Sequence, residues 1–124
     1  MKAYITCPVS HSQNRLNLLP VIEQVAKESG LDTFVFEIGG DSKDIFRRDY
    51  EQLKSCDILI AEVSERSHEV GIEIGLSYCL GLRRILLIES GQSVTKLAQG
   101  IPDTTIVEYE DVGQLKARLK KVLN

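Results

Sequence analysis

Apolar and polar positions fall into alternating blocks along the chain. Short runs rich in β-branched or aromatic residues recur at 3–6, 33–37, 58–63, 85–88 and 105–109, separated by polar or glycine-containing stretches. Runs of that length and composition predict strands. Between them apolar residues return at helical spacing. Leu16, Leu19, Ile22, Val25 and Ala26 share one side of a segment over 14–29 that Gly30 closes, with Pro20 either kinking it or sitting in its first turn. Further helices are predicted over 44–54 and 70–82, and a last one from Val112, Leu115, Leu119 and Val122; a short one is possible at 94–98. No internal repeat or low-complexity segment interrupts the pattern.

Strand and helix therefore alternate throughout, which predicts a single α/β domain over 1–124 with a parallel sheet and helices on both faces. The expected arrangement is a doubly wound, five-stranded parallel sheet in the flavodoxin-like or Rossmann-like order 2-1-3-4-5. Its ligand crevice lies at the carboxyl ends of strands 1 and 3. The loop 7–15, the loop 64–69 and the start of the helix over 70–82 converge there.

Composition narrows the classes of partner. The 124 residues carry a formal charge of −3 with positive residues scattered, so no broad basic surface offers itself to a polymeric nucleic acid. Cys7, Cys56 and Cys79 form no CxxC pair and are odd in number, which argues against a disulfide framework or a zinc site and predicts small buried hydrophobes in a reducing, cytoplasmic setting. No signal-type segment and no membrane-length apolar run is present. Walker-type and GxGxxG phosphate loops are absent, and the Gly39-Gly40 pair before Asp41 is expected only to turn the chain.

Candidate chemistry begins at Glu73, the one charged residue in VGIEIGLSYCLGL, residues 70–82. Burying an isolated carboxylate costs several kcal/mol, so such residues are either paired or functional. Glu73 falls within about one turn of the predicted helix start, where the helix dipole favours its ionised form. Gly71 and Gly75 flank it and would let a ligand or a neighbouring backbone approach. The plainer alternative is a carboxylate that caps its own helix or meets an arginine across a dimer contact. Asp49 is a second acid in an apolar stripe, with Ile45, Phe46, Tyr50 and Leu53. Two carboxylates in one site suit glycosidic cleavage, one attacking the anomeric carbon and the other passing a proton to the leaving group. A salt bridge from Asp49 to Lys54, or to Arg47 or Arg48 of a partner subunit, is the competing explanation. Around these acids stand Tyr4 in the first strand, Ser10, His11, Ser12 and Arg15 in the first loop, and Arg66, Ser67 and His68 in the third. Hydroxyls and backbone N–H groups at a helix start are good phosphate ligands. Either histidine is equally compatible with a solvated loop, and Arg66 with an ordinary surface charge.

The segments KAYITCP, RRDYEQLKSCDILIAEVSERSHEVGIEIGLS and RILLI together resemble the nucleoside 2-deoxyribosyltransferase family, nearest its branch of 2'-deoxynucleoside 5'-phosphate N-hydrolases. The resemblance implies that Glu73 is the nucleophile at C1' of the sugar, that Asp49 protonates the departing base, and that Tyr4 orients the nucleophile. It further implies that Ser67 binds a 5'-phosphate and that Thr95 reaches the phosphate of a neighbouring subunit, hence a homo-oligomer, dimer or larger, with composite sites. Where this chain reads Cys7-Pro8-Val9-Ser10-His11-Ser12, the branch has a Gly-Ser start and a glycine pair, and Ser10, Ser12 and Arg15 stand as substitutes. Gly71 and His68 complete the candidate substrate contacts.

The expected activity is cleavage of the N-glycosidic bond of a nucleoside or its 5'-monophosphate, with water or a second base entering afterwards. It needs no metal and no organic cofactor. Two alternatives from other classes are a nucleotide-binding signalling module that turns nothing over, and a structural subunit whose helix over 70–82 packs against a twin.

Overall fold

The computed structural model of the chain describes residues 1–9 and 13–124, without the side chains of Gln13 and Asn14. Five strands, β1 (Lys2–Thr6), β2 (Asp32–Val35), β3 (Ile58–Glu62), β4 (Arg83–Glu89) and β5 (Thr104–Tyr109), pair in parallel in the order β2-β1-β3-β4-β5. This is the predicted sheet. Between the strands run α1 (Gln13–Leu16), α2 (Leu19–Glu28), α3 (Ser42–Ser55), α4 (His68–Cys79) and α5 (Lys96–Gln99), with α6 (Val112–Leu123) after β5. Among the described residues no helix is long and apolar enough to cross a membrane.

Strand periodicity divides the core into two layers. Ala3, Ile5, Ile58, Ile60, Ile85 and Leu87 face α2 and α6, where Ile22, Leu115 and Leu119 complete one apolar layer. Tyr4, Leu59, Ala61 and Leu86, at the alternate positions, face Leu53 of α3, Val70 and Ile74 of α4 and Ala98 of α5. Every residue of β3 is buried, as a central parallel strand covered on both faces requires. The same alternation decides where function can sit, because Tyr4 and Thr6 share a parity and both face α3 and α4.

Several local outcomes refine the sequence pattern. The segment over 14–29 is two helices rather than one. Pro20 has no N–H to give the carbonyl four residues back at Leu16, where α1 stops; the proline sits instead in the first turn of α2. Asp41 caps α3 by accepting from the Lys43 N–H, and it follows Gly39 and Gly40 at φ of 96° and 114°, a backbone that β-carbons disfavour. Cys7 and Cys56 are buried as expected, but Cys79 is exposed, because the C-terminal turn of α4 directs it away from the sheet.

Arg84 is the largest fully buried side chain. Its guanidinium donates to Thr104 Oγ1 at 2.9 Å, to the Leu82 carbonyl at 2.7 Å, to Ser77 Oγ at 3.3 Å and to the Pro102 carbonyl. A cation can stay in such a place only because its donors are so fully used. It ties the end of α4 to the turn that enters β5.

Candidate active site

Glu73 lies on the inner face of α4 and is only 7% exposed. Two strand residues hold it. The Tyr4 hydroxyl donates to Oε2, and Thr6 Oγ1 donates to Oε1 at 3.0 Å. Strand parity brings both donors to one face, and the parallel sheet presents them under α4. Burial nevertheless outweighs these two hydrogen bonds and pushes the Glu73 pKa up to about 7, with the negative charges of Asp49 and Glu69 adding to the rise. Helix placement explains why dipole support is weaker than the sequence suggested. Ser67 caps α4 by accepting from the Val70 N–H, so the helix begins at His68 and Glu73 falls in its second turn. Tyr4, desolvated and beside a carboxylate, has its own pKa raised and stays a donor.

Removing the tyrosine hydroxyl leaves Glu73 Oε2 without that donor while the burial cost remains. Tyr4→Phe is expected to raise the Glu73 pKa further, by about one unit for a hydrogen bond to a charged group. A carboxyl-carbon NMR titration reads this directly; an unchanged midpoint would mean that the hydrogen bond does not support the ionised form.

Glu73 and Asp49 line the same cavity, about 360 Å³, between α3, α4 and the chain leaving β2. Its walls include Phe36, Ile38, Ile45, Phe46, Ile72 and Leu76, with Glu37, Ser42, Tyr50 and Glu69 as further polar groups. The stripe on α3 is thus a cavity wall more than a core contact, since Leu53 alone of it is fully buried and Phe46 is 56% exposed. Phe46 and Tyr50 stack with ring centroids 5.6 Å apart, presenting flat aromatic surface at the mouth. The Asp49 ion pair is formed within its own chain: Arg48 Nε donates to Oδ1 at 3.1 Å, while Lys54 and Arg47 pair with Glu51 and Asp44.

The remaining candidates are placed elsewhere. Ser67, Gly71 and Thr95 line a second cavity of about 330 Å³ with Arg66 and Ser93, on the α5 side of α4. Within one chain these hydroxyls do not join Glu73 and Asp49. His68 is exposed at the start of α4. Arg15 pairs with Glu89, stands 3.7 Å from Glu62 and 3.8 Å from Glu65, and donates to the Tyr109 hydroxyl at 3.4 Å. Ser10, His11 and Ser12 lie outside the described residues.

Thr6 and Glu62 had not been singled out from the sequence. Thr6 sits two residues after Tyr4, and period-two spacing alone would have placed it beside Glu73. Glu62, fully buried at the tip of β3, accepts from the Ser64 N–H at 2.6 Å, from Ser64 Oγ at 2.7 Å and from the Tyr109 hydroxyl. A lone acid within an apolar strand was the available signal. Among the described residues no group of three His, Cys, Asp or Glu side chains is placed to hold a metal ion.

No family model matches the chain. A Thermofilum pendens protein, provisionally named a 2'-deoxynucleoside 5'-phosphate N-hydrolase, is 29% identical over 136 aligned positions that cover 99% of this chain and 95% of the relative. The resemblance carried by the central motif is borne out by this nearly full-length match. Among solved structures, a CMP N-glycosidase from Clostridium botulinum superposes with a TM-score of 0.73 at 20% identity, covering 96% of this chain and 98% of the other. A 2-deoxyribosyltransferase from Bacillus psychrosaccharolyticus gives 0.70 at 23% identity over 99% and 96% of the two chains. An archaeal flavodoxin gives 0.62 at 12% identity over 99% and 96%, as the strand order leads one to expect. At these identities the structural likenesses show a shared fold.

Proposed function

We propose that the chain is an enzyme that breaks the N-glycosidic bond of a nucleoside or its 5'-monophosphate, through a glycosyl intermediate on Glu73. The observation that carries this reading is a buried carboxylate, gripped by Tyr4 and Thr6, in one cavity with a second acid, Asp49. The name of the Thermofilum pendens relative and the names of the N-glycosidase and deoxyribosyltransferase neighbours support the same class of reaction.

In this mechanism a Glu73 oxygen forms a bond to C1' as the C1'–N bond breaks, and the electron pair leaves with the base. Asp49 supplies the proton that makes the base a better leaving group. Positive charge building on the sugar ring is stabilised by the surrounding carboxylates. In the second step water, or an incoming base, attacks C1' as the C1'–O bond to Glu73 breaks; its proton passes to Asp49 and Glu73 leaves as a carboxylate. Tyr4 and Thr6 hold the nucleophile against rotation throughout. Phe46, Tyr50 and Ile72 offer the base an apolar and aromatic surface.

Oligomerisation belongs to the same proposal. Ile72 and Tyr78 are more than half exposed, and with Gly71, Gly75 and Cys79 they form an outward face on α4 that suits a homo-oligomer, dimer or larger. Ser67 and Thr95, in the second cavity, would then serve a site shared between subunits.

Nucleosides and monophosphates of each base, incubated with and without a free acceptor base, should release or exchange their base on chromatographic assay. The same preparation should sediment as a dimer or larger. Intact substrates in every incubation would refute the enzymatic reading.

A further inference from the structure

Charge around the first cavity bears on which form of substrate enters it. Its wall carries four carboxylates, Glu37, Asp49, Glu69 and Glu73, and no lysine, arginine or histidine among the described residues. One cation stands close behind: Arg48 meets Asp49 at 3.1 Å and Glu37 at 3.7 Å. That leaves Glu69 and Glu73 with no basic partner among the described residues. The two arginines that the sequence offered to an anion are directed elsewhere. Arg66 lines the second cavity, on the other side of α4, and Arg15 is committed to Glu89 and Glu62. The cavity runs from Glu73, buried and held by two donors, out to Glu37 and Glu69, which are exposed.

We infer that this cavity selects uncharged nucleosides over their 5'-monophosphates, and that Glu69 is the carboxylate that sets the preference. The inference rests on the substrate class proposed above and goes further by naming its charge. A phosphate dianion would enter a field of like sign, screened least beside buried Glu73 and more at the exposed Glu37 and Glu69. A nucleoside brings hydroxyl donors instead, and carboxylates accept from hydroxyls well. Glu69 is the informative residue because it lines the cavity one turn before Glu73, and its charge reaches Glu73.

Calorimetric titration separates the inference from the reaction. Glu73→Gln protein, in which turnover is blocked, is titrated with each 2'-deoxynucleoside and with the matching 5'-monophosphate, and the Glu69→Gln/Glu73→Gln protein is treated likewise. For at least one base the nucleoside should bind about tenfold or more tightly than its monophosphate, and the added Glu69→Gln change should shrink that ratio about fivefold or more. Raising the salt from about 0.02 M to about 0.2 M should narrow the ratio more where Glu69 is present than where it is replaced. A monophosphate that binds as well as its nucleoside, a ratio unmoved by Glu69→Gln, or no nucleoside binding at all would overturn the inference. Wild-type turnover is scored in parallel. Absence of base release alongside a nucleoside-selective titration would count against the proposed reaction and for the proposed selectivity.

Discussion

Glu73→Gln is expected to lose base release by about 10⁴-fold or more and, at the same time, to make the protein more stable above neutral pH. The first effect follows from chemistry, since an amide oxygen does not form the glycosyl ester that a carboxylate forms. The second follows from linkage. Burial raises the Glu73 pKa from the usual 4.5 to about 7, so the folded state holds this proton more tightly than the unfolded chain does. Its contribution to stability is therefore fully present below the unfolded value and is lost as pH rises through the folded one. Above that point the wild type carries an ionised buried acid at a cost on the order of 3 kcal/mol, which glutamine avoids. Urea unfolding at pH 5 and pH 8 should show the variant's advantage widening at the higher pH. Equal differences at both would mean that the charge is not the source. The wild-type rate should rise with pH through about 7, because the attacking form is the carboxylate.

Asp49→Asn should reduce turnover by about 10² to 10³-fold for ordinary bases, the range of a lost general acid. For a nucleoside whose base already carries positive charge, such as an N7-methylated guanine, the loss should be several-fold only, since that base departs without being protonated. This contrast tests function rather than integrity. If Asp49 served only as the partner of Arg48, the variant would slow both substrates alike or change stability without changing selectivity. Paired rate measurements on the two substrates decide between these outcomes.

The architecture was legible because each strand is short, β-branched and separated by a helical stretch, which leaves few topologies open. Tyr4 was legible as a residue of the first strand, but the side of the sheet it faces came from the fold. Other features lie beyond a one-dimensional pattern. The stripe on α3 has core spacing, yet it borders open space because the chain leaving β2 stands off from it; Phe46 and Asp49 acquire their setting from that gap. Arg84 sits in a run, RRILLI, where a reader expects the second arginine to reach solvent. Only the fold shows that four acceptors from α4, β5 and the turns between them surround it. Ser67 and Thr95 are far apart in sequence and close in space, and the second cavity they share appears only once α5 is laid beside α4.

The ring of donors around Glu62 is completed from β5, which follows the other four strands in chain order. A growing chain that has exposed β1, β3 and α4 but not residue 109 holds an acid at the sheet's tip that lacks its tyrosine, beside Arg15 of α1. C-terminal truncation before Tyr109 should therefore loosen the carboxyl ends of β1 and β3 as well as remove α6 from the opposite face of the sheet.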